Sequence, residues 1–538
     1  MTLKKLFIYA LIAGALQACN TSKPASEEAK TRFKSLIPKP VSASLEGNAF
    51  LLTQTIAIQH DGTEGATKLA GVLANTLKPV TGFDLTVAEG KGGDGTIFLS
   101  TTGADASLGD EGYELTIGAT SIKLVANKAA GLFMGLQTIR LLLPESIESA
   151  GKQEGPWEIA TGTIRDTPVY PWRGSMLDVA RHFFSVDEVK TYIDYISLYK
   201  MNVLHLHLSD DQGWRIEIKS WPKLTEHGGK TEVGGAAGGF YTQEQYKELV
   251  QYAMDRFITV VPEIDLPGHT NAALASYGEL NGGINVPKEG RIEINGGQMV
   301  GKDKPTELYT GTAVGFSTLS LKKESTMRFL NDVIRELSEI TPGPYIHIGG
   351  DEAHVTKKED YIEFVGRFAE IVKKNNKIMV GWEEIAQGNI DSAAIAQHWS
   401  NEKYPIMASE KGAQLIMSPS KKVYLDMQYD SLSKLGLHWA AYIEVKDSYD
   451  WEPSTRVDGV DKNKILGVEA PLWSETIADL NDIEYLLFPR LPGIAEVAWT
   501  TVDARNWDDY KVRLGNQAKR FKAMGIDYYP SKQVPWVE

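Results

Sequence analysis

The sequence predicts an α/β chain, a (β/α)8 TIM barrel preceded by a small α+β domain. Three observations carry this. From Trp172 onward, short apolar strands alternate with amphipathic helices. The strands number eight. No G-x-G-x-x-G or phosphate loop follows the first of them, which weakens an open doubly wound sheet, the main competitor. Repeated strand-then-helix units demand parallel crossovers, and eight of them close most naturally into a barrel.

At the start of the chain, Lys4 and Lys5 precede an apolar run over 6–16 that ends in Leu16-Gln17-Ala18-Cys19. A basic start followed by about a dozen apolar residues reads as a secretory signal, too short to span a bilayer. Its end resembles a bacterial lipoprotein signal, although Gln17 departs from the small residue usual there. Cys19, the only cysteine, is then the lipidated first residue of the mature chain, and an internal disulfide is impossible. The expectation is export across the inner membrane and a lipoprotein in the periplasm or at the outer membrane or cell surface. Residues 1–19 are signal, and the polar stretch 20–32 reads as a flexible tether.

The α+β domain occupies 33–165. β-branched content and flanking glycines predict strands over 55–59, 95–100, 114–117 and 122–126, and helical spacing covers 129–143. No catalytic cluster falls in it. Near Asp166-Thr167-Pro168 the pattern changes to the barrel, 166–538, with a C-terminal helical segment. Its strands begin near Arg173, Val203, Thr259, Tyr345, Ile378, Ala394, Gln414 and Ile465. Helices over 186–200, 243–257, 321–340 and 358–375 separate the early ones, and a long amphipathic stretch follows Thr476. Two long interruptions, a glycine-rich one at 227–241 and another at 277–316, follow strands. Loops there face the catalytic rim, so both are expected to wall or cover a cleft.

A net charge of −14 works against phosphate-rich partners, so no nucleic acid is expected. Twelve Trp and twenty-two Tyr supply flat faces that suit sugar rings. The strand ends carry the chemistry. They offer Asp178 and Arg181, Asp210 and Asp211, Glu263, Asp265 and His269, Asp351 and Glu352, Trp382, Trp399, Asp426, and Trp473 with Glu475. Carboxyls for acid/base work, polar groups for hydroxyls and aromatic faces for a pyranose are the inventory of a glycosidase.

The motifs are specific. Trp172-Arg173-Gly174 through Leu177-Asp178-Val179-Ala180-Arg181-His182-Phe183, His205-Leu206-His207-Leu208-Ser209-Asp210-Asp211-Gln212-Gly213-Trp214-Arg215, Pro262-Glu263-Ile264-Asp265-Leu266-Pro267-Gly268-His269 and His347-Ile348-Gly349-Gly350-Asp351-Glu352 stand in that order. They resemble the signature blocks of family-twenty glycoside hydrolases, the β-N-acetylhexosaminidases, and the likeness runs from about Leu36 to the C-terminal region. The resemblance implies an exo-acting, retaining enzyme without cofactor or metal, which removes terminal N-acetylglucosamine or N-acetylgalactosamine from glycans or chitin-type oligosaccharides. In that family the substrate's own 2-acetamido oxygen is the nucleophile and an oxazolinium ion the intermediate.

By the same resemblance Glu352 is the general acid/base, Asp351 holds the acetamido N–H, and Tyr424 donates to the acetamido oxygen. Trp382, Trp399 and Trp473 wall the acetamido pocket. Arg181 grips the 3- and 4-hydroxyls, and Asp426 and Glu475 bind the 4- and 6-hydroxyls. Asp210, Asp265 and His269 orient Glu352. Read as extended backbone, Asp351 and Glu352 are expected to project to opposite sides. The H-x-H pair His205 and His207 suits a metal, but no further His-plus-carboxylate set is spaced to complete the site. Three alternatives remain: a disaccharide-releasing member of the same family, a non-catalytic sugar-binding lipoprotein, and a metal-dependent barrel hydrolase.

Overall fold

The computed structural model describes residues 23–288 and 297–538. The expected signal and Cys19 lie outside the described residues. The first domain is a seven-stranded mixed sheet in the order β1-β7-β5-β6-β4-β2-β3. Its strands are β1 (Ser42–Leu52), β2 (Ala57–His60), β3 (Val87–Glu89), β4 (Thr96–Ser100), β5 (Tyr113–Ile117), β6 (Ser121–Ala126) and β7 (Trp157–Asp166). Helices Glu64–Thr81 and Ala129–Leu142 pack on it. All four predicted strands and the predicted helix are present. β1, β3, β7 and the first of these helices are additions.

The tether is corrected in part. Ser26 caps a helix, Glu27–Lys34, by accepting the Ala29 amide hydrogen at 3.2 Å, and Ala29 and Phe33 are buried. A Cβ on Gly162 of β7 would lie 2.8 Å from Phe33, so glycine there makes room for the ring. The segment is polar overall yet carries two apolar residues four apart, enough to bury one helix face.

The second domain is a closed barrel of eight strands, β8 (Trp172–Asp178), β9 (Val203–His207), β10 (Thr259–Glu263), then, after a two-stranded hairpin of β11 (Ile284–Val286) and β12 (Gln298–Val300), β13 (Tyr345–His347), β14 (Ile378–Trp382), β15 (Ile395–His398), β16 (Gln414–Met417) and β17 (Ile465–Leu472). Every neighbouring pair is parallel. Helices Val186–Leu198 and Gln243–Met254 both begin on capping boxes, Ser185 with Glu188 and Thr242 with Gln245. The amphipathic stretch after Thr476 forms several helices, including Leu480–Leu487, Arg490–Trp499, Trp507–Gly515 and Ala518–Met524.

Inward-facing residues alternate along each strand and form layers. The lower layer is apolar: Trp172, Val203, Val261, Val380, Ile395 and Ile416 form one buried cluster. Above it the register sets Asp178, His207, Glu263 and His347 side by side on four adjacent strands. A polar layer thus crosses the barrel just below its C-terminal rim. The two domains are joined by buried charge. Asp166 accepts from Lys200 Nζ at 2.8 Å, Tyr113 OH at 2.9 Å and Trp499 Nε1 at 2.8 Å, and Arg173 grips Glu111 with two nitrogens at 2.9 and 2.6 Å.

Candidate active site

A cavity of about 190 Å³ opens at the C-terminal rim, lined by Arg181, Thr312, Val314, Asp351, Glu352, Trp399, Tyr424, Asp426, Leu437, Trp439, Trp473 and Glu475. Eight of these are residues the sequence singled out. Trp382 lies behind them. It is buried, its ring sits 5.6 Å from that of Trp473, and its Nε1 donates to Glu263 Oε1 at 2.9 Å.

The chain reaches this place through an unusual turn. Gly349 and Gly350 after β13 have φ of +68° and +103°, and Glu352 itself has φ of +42°. A Cβ on Gly349 would lie 1.8 Å from Asp265 Oδ1, so both the backbone angle and the space require glycine. This corrects the expectation of an extended segment. The two carboxyls converge on one imidazole, with His269 Nε2 3.7 Å from Asp351 Oδ2 and 3.5 Å from Glu352 Oε2. His269 also has positive φ, +52°, and such strain is held where function needs it.

Behind His269, Asp210 takes Nδ1 at 3.2 Å, Arg181 at 2.9 Å and His207 Nε2 at 2.8 Å. Burial would raise the Asp210 carboxyl, but Arg181, His269 and His207 outweigh it and hold it far below the usual carboxylate range. Burial would lower His269, but Asp210, Asp265 and Asp351 raise it well above an ordinary imidazole. Glu352 is likewise pushed up by burial, then brought below its usual value by the proximity and charge of His269, with smaller contributions from His354 and Arg181. The resting pair is therefore an imidazolium beside a carboxylate.

Asp351 has a different neighbour. Asp265 accepts the Gly350 amide hydrogen at 3.0 Å and is raised well above the carboxylate range by burial and the charge of Asp351. Asp351 is raised as well, by burial set against the charge of His269, and Asp265 is the more strongly raised of the two. The carboxyl whose charge acts most strongly on Asp265 is Asp351, while the sequence reading had Asp265 orient Glu352. Burial, followed by the charge of Asp351, also raises Tyr424 well above a free phenol, so its hydroxyl stays a donor.

Several buried polar atoms around the cavity lack a hydrogen-bond partner: Arg181 Nε, Asp351 Oδ1, both oxygens of Asp426 and Glu475 Oε2. Unpaired buried polar groups are costly, about 1–3 kcal/mol each, so their convergence on one space marks it as built for a polar ligand. The Arg181 guanidinium also lies over the Trp473 ring at 4.8 Å.

Glu263 and Asp178, read as rim residues, lie in the floor. Asp178 holds the amides of Ala180 and Ser474 at 2.8 and 3.1 Å. Glu263 accepts from His205 Nε2 at 2.9 Å and His207 Nδ1 at 2.5 Å, while His205 Nδ1 reaches Glu469 Oε1 at 2.7 Å. The H-x-H nitrogens are committed to carboxylates. Burial alone would lower His205, but Glu263 and Glu469 hold it at about 9, against 6.5 for a free imidazole. The stability this adds is whole below about pH 6.5 and is lost as pH rises through about 9, roughly 3 kcal/mol in all. The urea midpoint of the wild type should fall across that window, and His205→Gln should flatten the fall.

The long loops divide the work. Thr312 and Val314, from 277–316, reach the cavity, although 289–296 lie outside the described residues. In 227–241, Glu232 accepts the Phe183 amide hydrogen at 3.1 Å and Val233 donates to the Arg181 carbonyl at 2.9 Å, so this segment buttresses the Arg181 loop. Leu437 and Trp439 were not singled out from the sequence. They lie between β16 and β17, where the rim position was the available signal. Trp439 is 55% exposed at the mouth, edge-on to Tyr424 and Trp399. Glu384 was also missed. It accepts Trp399 Nε1–H at 3.1 Å, and burial and the charge of Asp351 raise it well above the carboxylate range.

Comparison with known proteins agrees with this geometry. Residues 34–167 match the family description "Glycosyl hydrolase family 20, domain 2", and residues 170–502 match "Glycosyl hydrolase family 20, catalytic domain". A beta-N-acetylhexosaminidase from Cellulomonas fimi is 38% identical over 505 residues, covering 93% of this chain and 97% of that protein. The solved GH20 beta-N-acetylhexosaminidase of Streptomyces coelicolor A3(2) is 46% identical with a TM-score of 0.88, covering 96% of this chain and 100% of its own. A mutant Streptomyces plicatus beta-hexosaminidase, solved in complex with product (GlcNAc), has the same identity and TM-score, covering 96% of this chain and 99% of its own. With both domain descriptions matched in order and full-length relatives well above 30% identity, the chain belongs to glycosyl hydrolase family 20.

Proposed function

We propose that the protein is an exo-acting, retaining β-N-acetylhexosaminidase that uses the substrate's own acetamido group as nucleophile. The observation that carries this is the set of unpartnered buried atoms of Arg181, Asp351, Asp426 and Glu475 around a cavity walled by indoles. Each finds a partner in a 2-acetamido sugar. Arg181, Asp426 and Glu475 bind the ring hydroxyls and close the pocket behind the terminal residue. Tyr424 donates to the acetamido oxygen and Asp351 accepts its N–H. The amide oxygen is thereby turned toward the anomeric carbon.

Reaction then needs one proton donor and one stabilising charge. The His269 and Glu352 pair holds a proton, and a bound sugar removes the water that reaches the 28%-exposed Glu352 side chain. Desolvation favours the neutral carboxyl, which gives its proton to the leaving oxygen and later takes one from water. Asp351 stabilises the positive charge on the oxazolinium, an electrostatic effect enlarged by its dry setting. No carboxylate needs to bond to the sugar.

Supporting the substrate class, the Cellulomonas fimi relative is a beta-N-acetylhexosaminidase and the Streptomyces plicatus one was solved with GlcNAc. Chitin-type oligosaccharides and terminal residues of glycans are the natural substrates in this reading. Mass spectrometry of the product decides against a disaccharide-releasing enzyme if single sugars are released. Arg181→Lys should keep the charge but lose the planar fork, lowering kcat/KM about 10- to 100-fold, mostly through KM. An unchanged KM would remove Arg181 from hydroxyl binding. Lipid anchoring through Cys19 is part of the same proposal and rests on the Leu16-Gln17-Ala18-Cys19 sequence. Cys19→Ser should release the enzyme from the membrane fraction.

A further inference from the structure

We propose that His269, Asp351 and Glu352 form an inhibitory Zn²⁺ site within the catalytic pocket. The three ligand atoms, one nitrogen and two carboxylate oxygens, all lie within 4.8 Å of one another. His269 Nε2 is 3.5 Å from Glu352 Oε2 and 3.7 Å from Asp351 Oδ2. Tetrahedral Zn²⁺ with bonds of about 2.0–2.2 Å sets its donors about 3.4 Å apart, so small side-chain shifts suffice.

The support behind these atoms is that of a metal-binding histidine. Nδ1 faces Asp210 Oδ1 at 3.2 Å, which fixes the ring and leaves Nε2 for the pocket. His269 is 1% exposed, and its Nε2 makes no hydrogen bond of good geometry. A second unpartnered atom, Asp351 Oδ1, lies in the same space. Asp210, Asp351 and Glu352 supply the negative field, against the cation Arg181. The metal would replace the proton on Nε2, which passes to water. One nitrogen and two oxygens suit Zn²⁺, whereas Mg²⁺ and Ca²⁺ ask for six or more oxygens.

The fourth corner of the tetrahedron faces the cavity, so metal and sugar compete for one space. Zinc takes the lone pairs that the reaction needs on Glu352 and Asp351. Zinc chloride should therefore raise the apparent KM for an aryl N-acetylglucosaminide without changing kcat, with full recovery on adding a chelator, while magnesium chloride has no effect. The site itself is argued from ligand geometry; only the competition rests on the sugar reading.

Calorimetric titration of the whole enzyme with zinc chloride separates the two. Binding should weaken at least tenfold in His269→Asn and in Asp351→Asn, each checked for native unfolding behaviour, and should be displaced by N-acetylglucosamine. Binding lost in both variants but not displaced by the sugar supports the metal site and counts against the sugar reading. Undiminished binding in both variants overturns the site.

Discussion

Glu352→Gln should lower kcat on a β-linked N-acetylglucosamine disaccharide by about 10³-fold, within the range found for general acid/base groups, and leave KM nearly unchanged. Glutamine keeps the size of the side chain and loses only the proton. The effect should be much smaller on an aryl glycoside, whose leaving group departs without protonation. Comparing the two substrates checks the role itself, because a merely misfolded variant loses both activities alike. Full activity on the disaccharide would end the assignment.

Asp351→Asn should cost about 10²–10³-fold in kcat, the size expected for removing a preorganised charge from the developing cation. The carboxylate is set for this by its surroundings. The carboxyl is buried beside His269, and its Oδ1 has no hydrogen-bond partner. Asparagine preserves the shape but presents no charge to the oxazolinium. Unlike the Glu352 variant, it should lose rate on aryl and natural substrates alike, since the amide oxygen bonds to the anomeric carbon as the leaving group departs and the acetamido group gains the same positive charge whichever group leaves. A loss confined to the disaccharide would assign Asp351 to proton transfer instead.

Much of this was legible along the chain, for identifiable reasons. Barrel strands are short, apolar and flanked by helices of clear periodicity, so each of the eight expected starts falls within one residue of the observed strand. Arg181, Tyr424, Asp426 and Glu475 come from distant segments, yet each follows a barrel strand, and topology gathers such positions at one rim. What the sequence concealed was local geometry. Two glycines and the positive φ of Glu352 swing adjacent carboxyls toward the same imidazole, which alternation along a strand does not foretell. Glu263 looked like a rim acid because it ends β10, but registry with His207 and His347 makes it the floor. Helix Glu27–Lys34 was hidden by its charge, since burial of Ala29 and Phe33 depends on a groove that the first domain supplies.

Nucleophilic attack by the substrate's own amide is the central step of this mechanism. Its most direct test is the rate on a series of aryl glycosides whose N-acetyl group carries zero, one, two or three fluorines. Fluorine drains electron density from the amide oxygen and barely changes its size. With the amide as nucleophile, kcat should fall by orders of magnitude along the series. Equal rates throughout, or an ester trapped between the sugar and any carboxyl of the protein, would contradict it.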